Sequence, residues 1–234
     1  MLTVKNLNVW YGPTEVVRDV SFMVPTGRII GLMGGNGAGK STILKALSGL
    51  VTPRAGTVEF DGVSLVGRHP RDVVEAGVVQ VPQGRFVWPG MTVLDNLELG
   101  AVIRKDKAGI RRTLEEVMTL FPTLSRKRAD RAGQLSGGEQ QMVAVGRAMM
   151  SEPRLMMMDE PSAGLSPKVA EEMVTAIAAL NRGGLSILLV EQNVGVAAAL
   201  AEEAHILTNG ELSFTTTGKQ LRSDPQVIRS YLGR

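Results

Sequence analysis

Residues 34–42 read GGNGAGKST, a lysine and two hydroxyls directly behind a run of small residues. Gly34, four residues, then Gly39, Lys40 and Ser41 is the spacing of a phosphate-binding loop. Such a loop needs little beyond backbone at Asn36, Gly37, Ala38 and Gly39, because glycines let N–H groups converge on phosphate oxygens with no Cβ in the way. A helix following the loop adds its positive pole; Lys40 supplies a cation for the β- and γ-phosphates, the Ser41 hydroxyl completes magnesium coordination, and Thr42 closes the nucleotide-binding set. A second source of chemistry is Asp159-Glu160, at the end of the apolar run 155–158. A buried strand that ends in two carboxylates delivers them to the crevice at the C-terminal edge of an α/β sheet. There Asp159 would hold Mg2+ and Glu160 would orient or deprotonate the attacking water. The third stretch is LSGGEQQ, residues 135–141, a serine and two glycines that a single nucleotide site does not call for. His69 and His205 show no metal-ligand spacing and are read as structural or solvated.

These residues need a scaffold, and the hydrophobic pattern supplies one. Leu2, Val4 and Leu7 alternate with polar residues, and 20–24 is a second strand, so the chain opens on an antiparallel pair. Residues 28–33 form a short apolar strand running into the phosphate loop, and Ile43, Leu44, Leu47 and Leu50 mark one face of the helix behind it. Further strands are expected at 57–60, before an Asp61-Gly62 turn, and at 78–81, 155–158 and 186–190. Several are continuous apolar runs, as parallel strands buried on both faces should be. Between Pro82 and Leu135 the pattern turns helical, with Ile110, Leu114, Val117, Met118 and Phe121 on one amphipathic face. Helices at 168–181 and 194–204 flank the last buried strand, and Asn209-Gly210 turns a hairpin. Met149, Met150 and Met156 to Met158 fill gaps in the core. The fold class is α/β: a three-layer P-loop core with an antiparallel β fringe and an inserted helical lobe.

The bulk numbers agree with one folded domain: 234 residues, 44% hydrophobic and 21% charged. No run of eighteen apolar residues occurs, and the stretch 185–201 is broken by Glu191, Gln192 and Asn193. The N-terminus carries no secretory signal, so a cytosolic protein is expected. The absence of cysteine excludes disulfides and thiolate chemistry. The net charge of +3 comes largely from 104–112 and 126–131, both interrupted by acids. They read as solvated helical surface, with contact to a protein or to anionic lipid as the alternative.

GGNGAGKST, LSGGEQQ and LMMMDEP in that order, with VPQGRFVWPGMTVLDNL between the first two, resemble the ATP-binding subunit of an ABC transporter over essentially the whole length. The resemblance implies a nucleotide-binding core at 1–83 and 135–234, a helical subdomain at 84–134, and ATP and Mg2+ as cofactors. It also implies two cassettes packed head to tail, Ser136, Gly137 and Gly138 of one capping the γ-phosphate bound by the other. That would give the second glycine loop its purpose. By the same resemblance Tyr11 stacks on adenine, with edge packing as its alternative, and Gln83 reaches the Mg2+ and the attacking water while its loop meets the transport partner. Trp88 fits a membrane-subunit contact and a core role equally well.

Two positions depart from the family. Gln192 stands where a histidine usually contacts the γ-phosphate, and a glutamine can donate a hydrogen bond there but carries no charge. Ser166 stands where the family has an aspartate that makes a contact across the dimer, and the two departures together point to two unequal sites. With PQGRFVWPGMTVLDNL, DEPSAGLSP, VEQN and the ending DPQVIRSYLG, these departures resemble an ATPase subunit of branched-chain amino-acid importers. The implied partners are a related but different ATPase, two membrane permeases and, indirectly, a periplasmic solute-binding protein. The chain would then lie peripherally on the cytoplasmic face of the membrane. Self-pairing in isolation is allowed, since the chain carries both half-sites, and no nucleic acid is expected. The alternatives are the ATPase of a urea or short-amide importer, a soluble ABC ATPase acting on DNA or ribosomes, and an assembly module that binds nucleotide without turnover.

Overall fold

The computed structural model describes residues 1–223; the ending DPQVIRSYLG lies outside the described residues. β1 (Leu2–Tyr11) and β2 (Thr14–Val24) run antiparallel, Leu2 opposite Val24 and Tyr11 opposite Thr14. β2 starts well before residue 20, because Glu15, Arg18 and Asp19 on its open side hide a strand that pairs with β1 throughout. β3 (Ile29–Met33), buried along its whole length, leads through the phosphate loop into α1 (Lys40–Leu47). Ile43, Leu44 and Leu47 of α1 are buried, whereas Leu50 is 61% exposed and does not belong to that face. The helix stops first, and Gly49, at φ 75°, turns the chain away. β4 (Ala55–Phe60) pairs with the other edge of β1, and β5 (Val63–Ser64) follows a two-residue turn with Asp61 at φ 48° and Gly62 at φ 79°.

α2 (Pro70–Glu75) starts at His69, whose ring accepts a hydrogen bond from the Arg71 N–H at 3.2 Å. After β6 (Val78–Val81) come four helices: α3 (Val93–Glu98), α4 (Lys107–Leu120), α5 (Pro122–Arg126) and α6 (Gly137–Met149). Val117 of α4 and Phe121 behind it are buried, with Ile110, Leu114 and Met118 partly buried beside them. The chain then alternates through β7 (Leu155–Asp159), α7 (Pro167–Arg182), β8 (Ser186–Glu191), α8 (Val194–Leu200), β9 (Glu203–Thr208) and β10 (Glu211–Thr217).

β2, β1, β4 and β5 form one antiparallel sheet; a second has the order β10-β9-β3-β8-β7-β6, parallel except at β10. β8 shows how its faces are used: Ile187 and Leu189 join the core beneath α3–α7, while Leu188 and Val190 join the core shared with α1 and the antiparallel sheet. Three layers result. Met149, Met150 and Met156 to Met158 are all buried in them. The helix expected over 194–204 ends at Leu200, because Glu203 onward pairs with β3 on one side and β10 on the other. Two strand ladders outweigh the helical preference of an alanine-rich segment.

Candidate nucleotide site

Four chain segments converge at the C-terminal edge of the parallel strands: the loops after β3, β6, β7 and β8. Gly37 and Gly39 of the loop after β3 take φ values of 79° and 108°, a region in which side chains are strained. At Gly34 the constraint is contact, since a Cβ would collide with the Leu207 carbonyl oxygen. Lys40, 6% exposed, donates to the carbonyls of Gly34 at 2.8 Å and Gly35 at 3.1 Å. Its ammonium also lies 3.5 Å from the Glu160 carboxylate, whose other oxygen accepts from the Gln83 amide at 2.9 Å. Glu160 has φ 48°, a left-handed conformation that costs a side-chain-bearing residue about 1–3 kcal/mol and recurs at functional sites. A cleft of about 270 Å3 is lined by residues 36–42, Gln83, Glu160 and Val16. Val16 carries no sequence signal for this position.

Asp159, at the end of β7, is 4% exposed, and its Oδ1 has no hydrogen-bond partner. Burial raises its pKa, partly opposed by a hydrogen bond with the Ser41 side chain. A buried carboxylate oxygen without a donor is unfavourable until it meets a cation or a proton. Beside the Ser41 hydroxyl, it fits a hard divalent cation that takes its remaining ligands from phosphate and water. Among the described residues no group of three His, Cys, Asp or Glu could hold a metal alone. Ser41, Gln83 and Asp159 also line an adjoining cavity of about 540 Å3. Glu191, at the end of β8, is 2% exposed and accepts from the Ser162 hydroxyl at 2.7 Å, the Ser162 N–H at 3.2 Å and the Asn193 N–H at 3.3 Å. It ties the segment after Glu160 to the segment carrying Gln192, and burial pushes its pKa up. Nothing in the sequence singled it out.

Other expected residues stand outside the cleft lining. Tyr11, 43% exposed, ends β1, and Gln192 is exposed beyond β8. Ser136 caps α6: its hydroxyl accepts from the Glu139 N–H at 3.4 Å while the Glu139 carboxylate accepts from the Ser136 N–H at 2.9 Å. Gly137 and Gly138 form the first turn of α6, and a Cβ on Gly138 would come within 2.5 Å of Val169 Cγ1. Ser166 precedes α7, exposed and making no capping bond. Trp88 is not in the core; it is 51% exposed, with the Arg147 guanidinium 4.6 Å above its ring. A separate cavity of about 550 Å3 lies at the opposite end of the strands, where Asp61 is already paired with both Arg154 and the N-terminal amine.

A phosphate loop after one parallel strand and carboxylates after a strand two places away define a P-loop nucleotide hydrolase. The sequence profile of the ABC transporter family matches residues 17–163, and the chain belongs to that family, as a transporter's ATP-binding and ATP-hydrolysing cassette. The chain is 40% identical over the full length of both chains to the high-affinity branched-chain amino acid transport ATP-binding protein BraG of Pseudomonas aeruginosa. It is 35% identical to the probable branched-chain amino acid transport ATP-binding protein LivF of Archaeoglobus fulgidus, over 100% of this chain and 99% of that one. It is also 35% identical to the lipopolysaccharide export system ATP-binding protein LptB of Escherichia coli, over 99% and 97%. Among solved structures, the ADP conformation of MJ1267, an ATP-binding cassette of an ABC transporter, superposes with TM-score 0.89 at 25% identity, covering 100% and 99%. A dimeric post-hydrolysis state of the cassette MJ0796, bound to ADP and Pi, gives 0.83 at 25% identity over 93% and 98%. Among the described residues no helix is long and apolar enough to cross a membrane.

Proposed function

We propose that this chain energises the import of branched-chain amino acids, hydrolysing Mg·ATP at composite sites between two cassettes beneath two membrane permeases. The observation that carries the hydrolytic reading is the set of contacts made by Glu160 in the cleft, its carboxylate 3.5 Å from the Lys40 ammonium and accepting from the Gln83 amide at 2.9 Å. Lys40 and the amides of residues 36–42 bind the phosphates, Tyr11 the adenine, and Glu160, steadied by Gln83, orients the water and takes its proton. Ser41, Asp159 and Gln83 would hold Mg2+, which would supply positive charge to offset that of the phosphates. Gln192 donates to the γ-phosphate. Ser136, Gly137 and Gly138 offer the positive end of α6 to the nucleotide of the facing cassette. Residues 84–134 act as a helical unit between the core and the permeases, and the chain sits peripherally on the cytoplasmic membrane face. Its working partner is a second, related ATPase, and a periplasmic binding protein delivers the solute.

The amino-acid assignment is supported by 40% identity to BraG over the whole chain. A second reading, lipopolysaccharide export, has the 35% identity to LptB behind it. In Glu160→Gln, hydrolysis should stop while Mg·ATP drives the chain into a stable dimer, read by light scattering. Normal turnover in that variant removes Glu160 from the mechanism. Co-reconstitution with branched-chain permeases should yield leucine uptake that needs ATP; stimulation only by lipopolysaccharide-export membrane subunits would overturn the import reading.

A further inference from the structure

The cleft is short of positive charge. Among the described residues Lys40 is the one cation in its lining and already contacts Glu160 at 3.5 Å, while the neutral Gln192 stands just beyond β8. A phosphoryl group in transfer spreads charge over three oxygens, and electrostatic stabilisation of that charge dominates catalysis. An uncommitted cation stands at the second glycine loop. Beyond Gln83 the chain takes three successive positive φ values, 99° at Gly84, 70° at Arg85 and 28° at Phe86. Consecutive left-handed residues with side chains are strained and persist where the surroundings hold them. The turn lays the Arg85 guanidinium on the first turn of α6, where a Cβ on Gly137 would overlap its Nη1. Nη2 donates to the Gly164 carbonyl at 3.3 Å, and among the described residues no carboxylate pairs with Arg85. A cation at the positive end of a helix is electrostatically misplaced until an anion joins it.

We propose that Arg85 is a catalytic residue acting in trans: in the paired cassettes its guanidinium meets the γ-phosphate held by the facing chain's phosphate loop, beside Ser136 and Gly138. This rests on the composite site proposed above. Water attacks the γ-phosphorus, its proton passes to Glu160 of the nucleotide-bearing chain, and the bond to the β-phosphate oxygen breaks with the electron pair leaving on ADP. Arg85 stabilises the charge that develops, with five donors and a charge it never loses.

The test pairs two full-length chains of which one carries Lys40→Ala, so that hydrolysis occurs only at the intact phosphate loop. Arg85→Ala in the Lys40→Ala chain should lower kcat by at least about 100-fold, the loss expected for one transition-state donor, with Arg85→Lys recovering part of it. The same substitution in the intact-loop chain should change kcat by less than about twofold. Arg85→Gln, which can still donate to Gly164, should behave as Ala in rate but melt like the parent, separating charge from folding. Equal losses in either chain, or loss only in the intact-loop chain, would make Arg85 a cis contact and overturn the proposal, as would no loss at all. If Glu160→Gln with Arg85 intact forms no ATP-dependent dimer, the composite site and this inference fail together. A dimer that forms but shows no asymmetry defeats Arg85 alone.

Discussion

Replacing Glu191 tests whether its carboxylate holds the site together by charge or by geometry. Glu191→Ala would strand three donors, the Ser162 hydroxyl and N–H and the Asn193 N–H. Asn193 is exposed and recovers water, so the loss concentrates on the two Ser162 donors, in a residue only 9% exposed. At about 1–3 kcal/mol for each buried donor left unpaired, Ala should cost about 3–5 kcal/mol. Glu191→Gln keeps an acceptor towards Ser162 and sets its NH2 against one N–H. It also removes a buried charge, and burial is the largest influence on this group, raising its pKa. The two effects oppose, so Gln should cost no more than about 1 kcal/mol. For a chain of this size about 1 kcal/mol corresponds to roughly 2–4 °C in Tm. Calorimetry at pH 7 should therefore give a drop within about 4 °C for Gln and well over 6 °C for Ala. ATP turnover should fall with Ala, because the segments behind Glu160 and before Gln192 lose their common anchor. If Gln destabilises as much as Ala, the charge itself is structural and the reasoning from acceptor geometry is wrong.

Gly34→Ala should push the phosphate loop off β9, since the new methyl meets the Leu207 carbonyl oxygen and lies 3.1 Å from the Ala38 Cβ. A loss of about 1–3 kcal/mol in thermal unfolding and at least a roughly tenfold weaker ATP Kd are expected. His205 gives a pH signature: burial holds its pKa below the ordinary 6.5, with Glu203 opposing. The unfolded chain therefore takes up the proton first on acidification, and the stability contributed by neutral His205 is complete above pH 6.5 and lost as pH falls towards the folded-state pKa. Tm should decline below pH 6.5 by up to about 4 °C per pH unit from this group, and His205→Asn should flatten that slope. Gln192→His should raise kcat, read by phosphate release, because an imidazolium facing the γ-phosphate adds the charge a glutamine lacks; unchanged kinetics would move residue 192 out of the site.

Legibility in the sequence followed how local each constraint is. β3, β7 and β8 showed as apolar runs because both faces of each are covered, and the phosphate loop showed because Gly34, Gly37 and Gly39 each satisfy a backbone demand that no other residue meets. Where a partner decides the structure, reading failed. Residues 203–204 look helical in an alanine-rich context, yet β3 and β10 claim them. β2 was clipped because its outward residues are charged, and Leu50 fits the α1 stripe by spacing but lies beyond the Gly49 stop. In the candidate site, the convergence of Lys40, Asp159 and Glu160 was legible from the motif and the strand end. Glu191 and Arg85 were not, because their significance rests on contacts with Ser162, Gly137 and Gly164, distant in the chain. Ser136 and Glu139 spell a capping box, a local signal available in the sequence before any function for that loop is considered.

The contact between Lys40 and Glu160 has a consequence for binding as well as for chemistry. Lys40 and Glu160, the base in the proposed mechanism, lie 3.5 Å apart with side chains 6% and 12% exposed, and Gln83 donates to Glu160 from the other side. On that mechanism, phosphate oxygens compete with Glu160 for Lys40, and a nucleotide that drew Lys40 away would also leave the base facing water. Removing the charge of Glu160 should then do more than stop hydrolysis. It removes a competitor for Lys40 and a repulsive charge beside the γ-phosphate, and both changes favour binding. The pair is distorted in geometry and shared with two backbone carbonyls, so a net of about 1 kcal/mol, or roughly fivefold tighter binding, is a reasonable magnitude. The measurement is titration of a non-hydrolysable ATP analogue into wild type and Glu160→Gln, at protein concentrations where each stays monomeric, so that dimer formation does not contribute. Equal or weaker binding by the variant would mean that Lys40 is committed to the Gly34 and Gly35 carbonyls rather than to Glu160, and that the base is free before nucleotide arrives.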